Sequence, residues 1–418
     1  MMKRLLICLS ICLVGLFVIL GFTGCKGPEG PTGPQGLAGA NGANGTNGTN
    51  GLNAGFVYFD GFKDSLRCAG CHDLDKDTVN YIAARDLQTK NSGHNSMGDF
   101  DENRGACAAC HTTEGFIIRV KNGNNQAAVT DRFDPTPVGC FACHAPHIMG
   151  NFGRRITTPV TLLSNIVGVP SATFDDGDAN LCAQCHQARS SASGLDISKQ
   201  AATDTLKITS NRYGPHHGLQ PLLLYGKGGV FYEFAGYTYN NSVHQVLASQ
   251  KKLACPDCHM ADASPSAVNA GKVGGHTMNI AFTEEGSTTA TYNANACNLA
   301  VNGSTCHSAG TKIAATGVMP TALEHNGKVK AVSDSLTALY NALGKLGWLD
   351  TVSTSSTYGL VKAKTGTLSA SNPLVIVPAK KGGALWNYIL IHEDRSTGIH
   401  NSQYALDILT ASLAELRK

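Results

Sequence analysis

Charge is scarce in this chain. Asp, Glu, Lys and Arg make up 15% of its 418 residues, against about 25% in an ordinary soluble protein. The formal charge is only +3, no basic run follows the extreme N-terminus, and no aromatic–basic interleaving occurs, so no nucleic-acid surface is predicted. Methionine is sparse as well, at 7 residues with two of them at the start, which leaves little thioether for metal ligation. The only long uncharged apolar run, Leu5–Leu20, is too short to favour a spanning helix.

What the chain has instead is glycine, cysteine and histidine, with 47 Gly, 15 Cys and 15 His. The basic head Met1–Arg4, the apolar run and the exit Gly21-Phe22-Thr23-Gly24-Cys25 read as a secretion signal over 1–24. Cysteine after Thr-Gly resembles the bacterial lipobox, with Phe22 in place of the usual aliphatic residue. Cys25 is then the lipidated residue of an outer-membrane, cell-surface protein; a plain secretory signal is the alternative. Nine Gly-x-y triplets follow, from Gly27 to Asn53. This collagen-like pattern over 25–53 implies either an extended, solvated stalk or a trimerising stem.

The twelve remaining cysteines fall into six pairs, each followed by histidine. Five have the form C-x-x-C-H. In chain order these are Cys68 and Cys71 with His72, Cys107 and Cys110 with His111, Cys140 and Cys143 with His144, Cys182 and Cys185 with His186, and Cys255 and Cys258 with His259. The sixth, Cys297 and Cys306 with His307, has eight residues between its sulfurs. Disulfides need no following His, and zinc needs four ligands per ion. Two thioethers with an adjacent imidazole suit covalent haem c, with the histidine on the iron. Six haems are therefore predicted. At the long-spaced site, where Asn302-Gly303 supplies a turn, a disulfide beside a bystander His307 is the alternative.

Nine histidines remain after the six that follow the cysteines. His94, His147, His244, His276 and His400 are candidate second axial ligands, together with one of His216 and His217. His147, three residues after His144, cannot reach the opposite face of the same porphyrin, so it is assigned to another haem. His94, His244 and His276 each lie within a short loop of a haem motif. His325 and His392 read as structural, and Met97 and Met149 are alternative thioether ligands.

The predicted fold is mostly α with extensive coil, a multihaem cytochrome c body built around closely packed haems rather than an independent apolar core. A hexahaem domain spans 54–318, with a short helix at or before each motif, and a helical tail packs on it over 319–418. In the tail, Val329, Val332, Leu336, Leu339, Leu343 and Leu346 have helical spacing, and Ala384–Ile391 and Gln403–Leu416 read as helices. The aromatic stretch Tyr225–Tyr239 reads as a small hairpin.

Ser92-Gly93-His94, Cys107–Phe116, Cys140-Phe-Ala-Cys-His144-Ala-Pro-His147, Gly214-Pro-His-His-Gly218 and Ser242-Val-His244…Cys255–Met260 resemble exported multihaem cytochromes of metal-reducing bacteria. The tail Glu393-Asp394-Arg395-Ser396…His400-Asn401…Tyr404-Ala405 resembles the end of ammonia-forming nitrite reductases and their non-enzymatic relatives. The resemblance implies stacked and T-shaped haem pairs. It departs from the reductases at His72, where they usually carry Lys at the catalytic haem. The function implied is electron transfer, not enzymology. Electrons would pass between other cytochromes and extracellular acceptors such as metal oxides, in a lipid-anchored chain, a stalk trimer or a filament. A reductase of a small nitrogen or sulfur oxyanion is the alternative, and no signature of an open catalytic pocket is present.

Overall fold

The computed structural model describes residues 77–418 except 78, 97–102, 134, 146–151, 165, 168–170, 189–194, 197–200, 216–217, 229–230, 264–270, 289, 299, 302–303 and 306–326. Several expectations fall outside the described residues. The signal, Cys25 and the Gly-x-y segment do so, and so do Cys68, Cys71 and His72, the whole of the first motif. The same holds for Cys306 and His307 of the sixth motif, and for His147, His216, His217, His325, Met97 and Met149.

In chain order the main elements are α1 (Ile82–Lys90), α2 (Gly105–His111), α3 (Thr113–Lys121), α4 (Cys140–Cys143), β1 (Val160–Leu162), β2 (Ala172–Phe174), α5 (Ala179–Ala183), β3 (Leu206–Ile208), α6 (Gln220–Tyr225), α7 (Val243–Ser249), α8 (Cys255–His259), β4 (Ala281–Thr283), β5 (Ala290–Tyr292), α9 (Ala294–Cys297), α10 (Lys328–Lys345), β6 (Leu374–Ile376), α11 (Gly382–Asp394) and α12 (Ser402–Arg417). Every sheet among the described residues has two strands. Helix and coil dominate, as the composition of the spacers implies.

The motif helices are short because their sequences cap them locally. Asp257 turns back to accept the backbone N–H of Ala254 at 2.6 Å, and Pro256 occupies the first turn of α8, where its missing N–H costs nothing. The Thr112 hydroxyl accepts the Gly115 N–H at 3.0 Å, which ends α2 and starts α3. Gly115 sits so close to α2 that a Cβ there would lie 2.0 Å from the Ala108 carbonyl oxygen. That contact folds the two helices back on each other.

The three tail helices form where the apolar spacing places them. Helix α10 buries Val332, Leu339 and Leu343 on one stripe. Helix α11 is buried nearly all round, from Gly382 to Tyr388 and at Leu390, Ile391 and Asp394, as expected of a central helix. Together with α12 it anchors an apolar core that includes Ile208, Leu222, Leu223, Leu339, Trp386 and Tyr404. This corrects the expectation of a body without its own core. Leu and Ile lie at helical spacing in the tail, and the middle of the chain supplies the complementary face. The tail also joins the middle of the chain through β6, which pairs antiparallel with β3, with Leu374 opposite Ile208.

The hairpin expected in Tyr225–Tyr239 is replaced by coil, with no strand among its described residues. Asn387 of α11 takes the backbone polar groups that a partner strand would have used. Its Oδ1 accepts the Tyr232 N–H at 2.9 Å, and its Nδ2 donates to the Tyr232 carbonyl at 2.9 Å. Phe231, Tyr232, Phe234 and Tyr239 thereby turn inward into the core. The close approach needs Gly383, since a Cβ there would lie 2.3 Å from the Tyr232 ring.

Trp386 is 1% exposed, and its ring lies 5.8 Å from that of Tyr213. Trp386→Ala should destabilise the protein by about 3–5 kcal/mol, a large share of the roughly 5–15 kcal/mol typical of a folded domain. Denaturant titration followed by helical circular dichroism measures this. An unchanged midpoint would show that the tail core does not hold the fold.

Candidate functional site

The four described C-x-x-C-H motifs open onto one cavity. A single helical turn brings the two cysteines of each motif, three residues apart, to the same side. The thiols of Cys107, Cys110, Cys140, Cys143, Cys182, Cys185, Cys255 and Cys258, the imidazoles of His111, His144, His186 and His259, and Cys297 all line this space. Its volume is about 2280 Å³, more than twice the upper end of roughly 1,000 Å³ for a pocket holding one small ligand. Ile82, Phe116, Val160, Leu224, Leu247 and Ile280 contribute apolar walls.

The motifs meet at their sulfurs. Cys110 hydrogen-bonds with Cys185, and Cys182 with Cys255. Burial, followed by the neighbouring Cys182 and Cys140, pushes the Cys143 thiol up to about 12. The motif ending at His186 therefore touches the second and the fifth motifs and lies beside the Cys140/Cys143 pair of the third. None of these eight cysteines is joined in a disulfide. Among the described residues no group of three or more His, Cys, Asp or Glu side chains is arranged to hold a metal ion.

Imidazoles face each other in pairs across the cavity. His94 and His186 have ring centroids 6.0 Å apart with planes at 79°. His144 and His276 are 6.4 Å apart at 40°. His259 and His400 are 6.3 Å apart at 23°. Two imidazoles bound through nitrogen to one metal, each at about 2 Å, place their ring centres roughly 6 Å apart. Each pair joins one motif histidine to one that follows no cysteine.

The outer ring nitrogens are tied down by acceptors. His144 Nδ1 donates to the Phe152 carbonyl at 2.8 Å, His186 Nδ1 to Gln220 Oε1 at 2.9 Å and His259 Nδ1 to the Met278 carbonyl at 2.9 Å. His244 Nδ1 donates to the Ile399 carbonyl at 2.7 Å, and His400 Nδ1 to Asp394 Oδ1 at 2.7 Å. An acceptor at Nδ1 fixes the proton there and leaves the Nε2 lone pair for a metal.

The electrostatics agree with neutral ligands. Burial, helped by His186 and His259, depresses His94 to about 4. Burial, helped by Arg85 and His144, depresses His276 to about 4. Burial also lowers His186 and His259. His400 is the exception. Burial opposes its charge, but the Asp394 carboxylate and the hydrogen bond to it outweigh burial and raise the pKa.

The site fits covalent haem on three grounds: paired thiols beside imidazoles, ring spacings suited to one iron between two nitrogens, and a buried cation. Arg119 is buried, with Nη1 donating to Cys110 Sγ at 3.3 Å and to the Gln184 carbonyl at 2.9 Å. Its Nε is buried with no partner among the described residues, which suits an anionic carboxylate of a porphyrin.

The partnerships differ from chain order. His94 precedes the second motif but faces the fourth, and His276 follows the fifth but faces the third. The fifth faces His400 from the tail. His244 also lines the cavity. His392 stacks on Tyr388 at 5.5 Å and is not among the cavity-lining residues. Sequence reasoning quoted Asp394 only within the tail resemblance, with no role at the site, and missed Gln220 and Arg119. The spacing of Asp394 six residues before His400 was visible, but nothing local to it signals a contact.

No protein-family model matches the chain, and no curated protein matches it. Among solved structures, the outer cell wall cytochrome OcwA aligns at 17% identity with a TM-score of 0.41, covering 79% of this chain and 49% of the other. The chain thus spans about half the length of that cytochrome. No described helix is long and apolar enough to cross a membrane.

Proposed function

We propose that this protein is an exported hexahaem c-type cytochrome that carries electrons through closely packed bis-histidine haems at the outer cell surface. The observation that carries this reading is the set of three facing imidazole pairs, each with one motif histidine, around a cavity lined by four thioether motifs. Cys107 with Cys110, Cys140 with Cys143, Cys182 with Cys185 and Cys255 with Cys258 would hold four haems. Cys68 with Cys71, and Cys297 with Cys306, would hold the other two. When bound, each haem supplies a one-electron couple.

The residues do the rest. Each of the three described histidine pairs would hold an iron through two imidazoles, a ligand set that favours low-spin iron and low potentials. The carbonyl and carboxylate acceptors hold the rings in place. Apolar walls exclude water, and Arg119 offsets carboxylate charge. The sulfur contacts Cys110–Cys185 and Cys182–Cys255 set attachment points side by side, so the His186 site joins its neighbours. Acylated Cys25 and the stalk would hold the body off the membrane, facing other cytochromes and extracellular acceptors such as metal oxides.

Intact mass with ferric electron paramagnetic resonance tests this. Mass should show six haems, and every iron should be low-spin. Near-perpendicular imidazole planes leave two iron d-orbitals almost degenerate, whereas parallel planes split them. The His94/His186 site should therefore give a highly anisotropic signal and the His259/His400 site a rhombic one. A mass for five haems, with Cys68 and Cys71 both alkylated by haem, would make Cys297–Cys306 a disulfide. A high-spin ferric signal with fast turnover of nitrite or hydroxylamine would replace the conduit with a reductase.

A further inference from the structure

We propose that Asp394 acts through His400 as the positioning residue that makes the haem at Cys255 and Cys258 the most reducing of the centres whose ligand pairs are described. This rests on the haem ligation proposed above. Five cavity imidazoles have a defined Nδ1 acceptor. Four of those acceptors are neutral: the carbonyls of Phe152, Met278 and Ile399 and the side-chain amide of Gln220. The acceptor on His400 is a carboxylate, Asp394 Oδ1, at 2.7 Å.

This carboxylate is aimed and enclosed. The Asp394 side chain is 0% exposed. Its Oδ2 accepts both the hydroxyl and the backbone N–H of Ser396, which leaves Oδ1 directed at His400. Residues Arg395 and Thr397 hold left-handed backbone at φ 60° and 52°. Two strained non-glycine residues in the loop that turns from α11 to His400 mark a segment whose geometry is imposed by its surroundings. Gln220 extends the arrangement, with Nε2 donating to the Asp394 carbonyl at 3.2 Å while Oε1 holds His186.

The physical effect follows from charge. A carboxylate on Nδ1–H draws the proton toward itself and enriches Nε2 in electron density. Buried charge is poorly screened, so the more positive ferric state gains more than the ferrous state. Only an electron would be exchanged between this site and its neighbours, with no proton or further reactant consumed. At the two neighbouring pairs the described Nδ1 acceptors, those of His186 and His144, are neutral oxygens.

The test uses the full-length holoprotein. In the native protein, a reductive titration followed by electron paramagnetic resonance should show the rhombic His259/His400 signal outlasting the His94/His186 signal. Asp394→Asn keeps an acceptor oxygen but removes the charge. The ferric-over-ferrous preference of that site should fall by about tenfold, and its signal should change shape, with the other sites unmoved. Asp394→Glu should restore the order. A rhombic signal that disappears before the others in the native protein, or one unmoved by Asp394→Asn with all haems present, overturns the proposal. A haem count below that of the motifs, or no such low-spin signal, would instead overturn the ligation reading on which it rests.

Discussion

His400→Ala should turn one low-spin ferric haem into a high-spin one without changing the haem count. The thioethers at Cys255 and Cys258 would still hold the porphyrin, and His259 would still bind one face. The second face loses its ring, because His400 is the imidazole facing His259 at 6.3 Å. The reduced variant should then bind carbon monoxide at one site, where the native protein binds none. A second effect accompanies the first. Asp394 has a fully buried side chain paired with His400, and taking away the hydrogen-bond donor of a buried carboxylate costs about 1.5–3 kcal/mol. The thermal midpoint should fall accordingly. Adding Asp394→Asn should recover most of this stability while leaving the high-spin signal in place. A His400→Ala protein that stays wholly low-spin would show that another side chain ligates that iron.

Cys182→Ser with Cys185→Ser should remove one haem and break the internal route between its neighbours. Cys185 contacts Cys110, Cys182 contacts Cys255, and Cys143 lies close to Cys182. The motif ending at His186 is therefore the junction among the described sites. Serine preserves volume but forms no thioether, so intact mass should drop by one haem. In stopped-flow reduction, the sites at His111 and His259 should then fill independently rather than equilibrate. The matched variant Cys140→Ser with Cys143→Ser also removes one haem, but from the side of the junction. It should leave the exchange between His111 and His259 nearly intact. Equal slowing in the two variants would mean that no single motif is central.

Much of the local structure was legible. The short motif helices α2, α4, α5 and α8 fall at the Cys pairs, because C-x-x-C needs one helical turn and Pro256, Asp257 and Thr112 supply local caps. The tail helices α10, α11 and α12 lie where Leu, Val and Ile recur at helical spacing. These features depend on residues a few positions apart. The stretch Tyr225–Tyr239 looked equally local and was misread, because Asn387 from α11 takes the backbone groups of Tyr232. Its conformation is set by a partner far along the chain.

The sequence by itself singled out the residues proposed to carry the chemistry. Six His-followed cysteine pairs restrict the cofactor, and fifteen histidines supply enough imidazole to face them. The tertiary structure decided who faces whom. His94 meets His186, His276 meets His144 and His400 meets His259, none of them matched with the motif nearest in the chain. The physical reason is geometric. A C-x-x-C-H turn would hold a flat ring from one face only, so a ligand for the opposite face would come from whatever element packs across the cavity. That packing is set by the apolar core around Trp386 and Tyr404. It carries the α11–α12 loop, with Asp394 and His400, to the cavity wall, and no pattern of nearby residues records this.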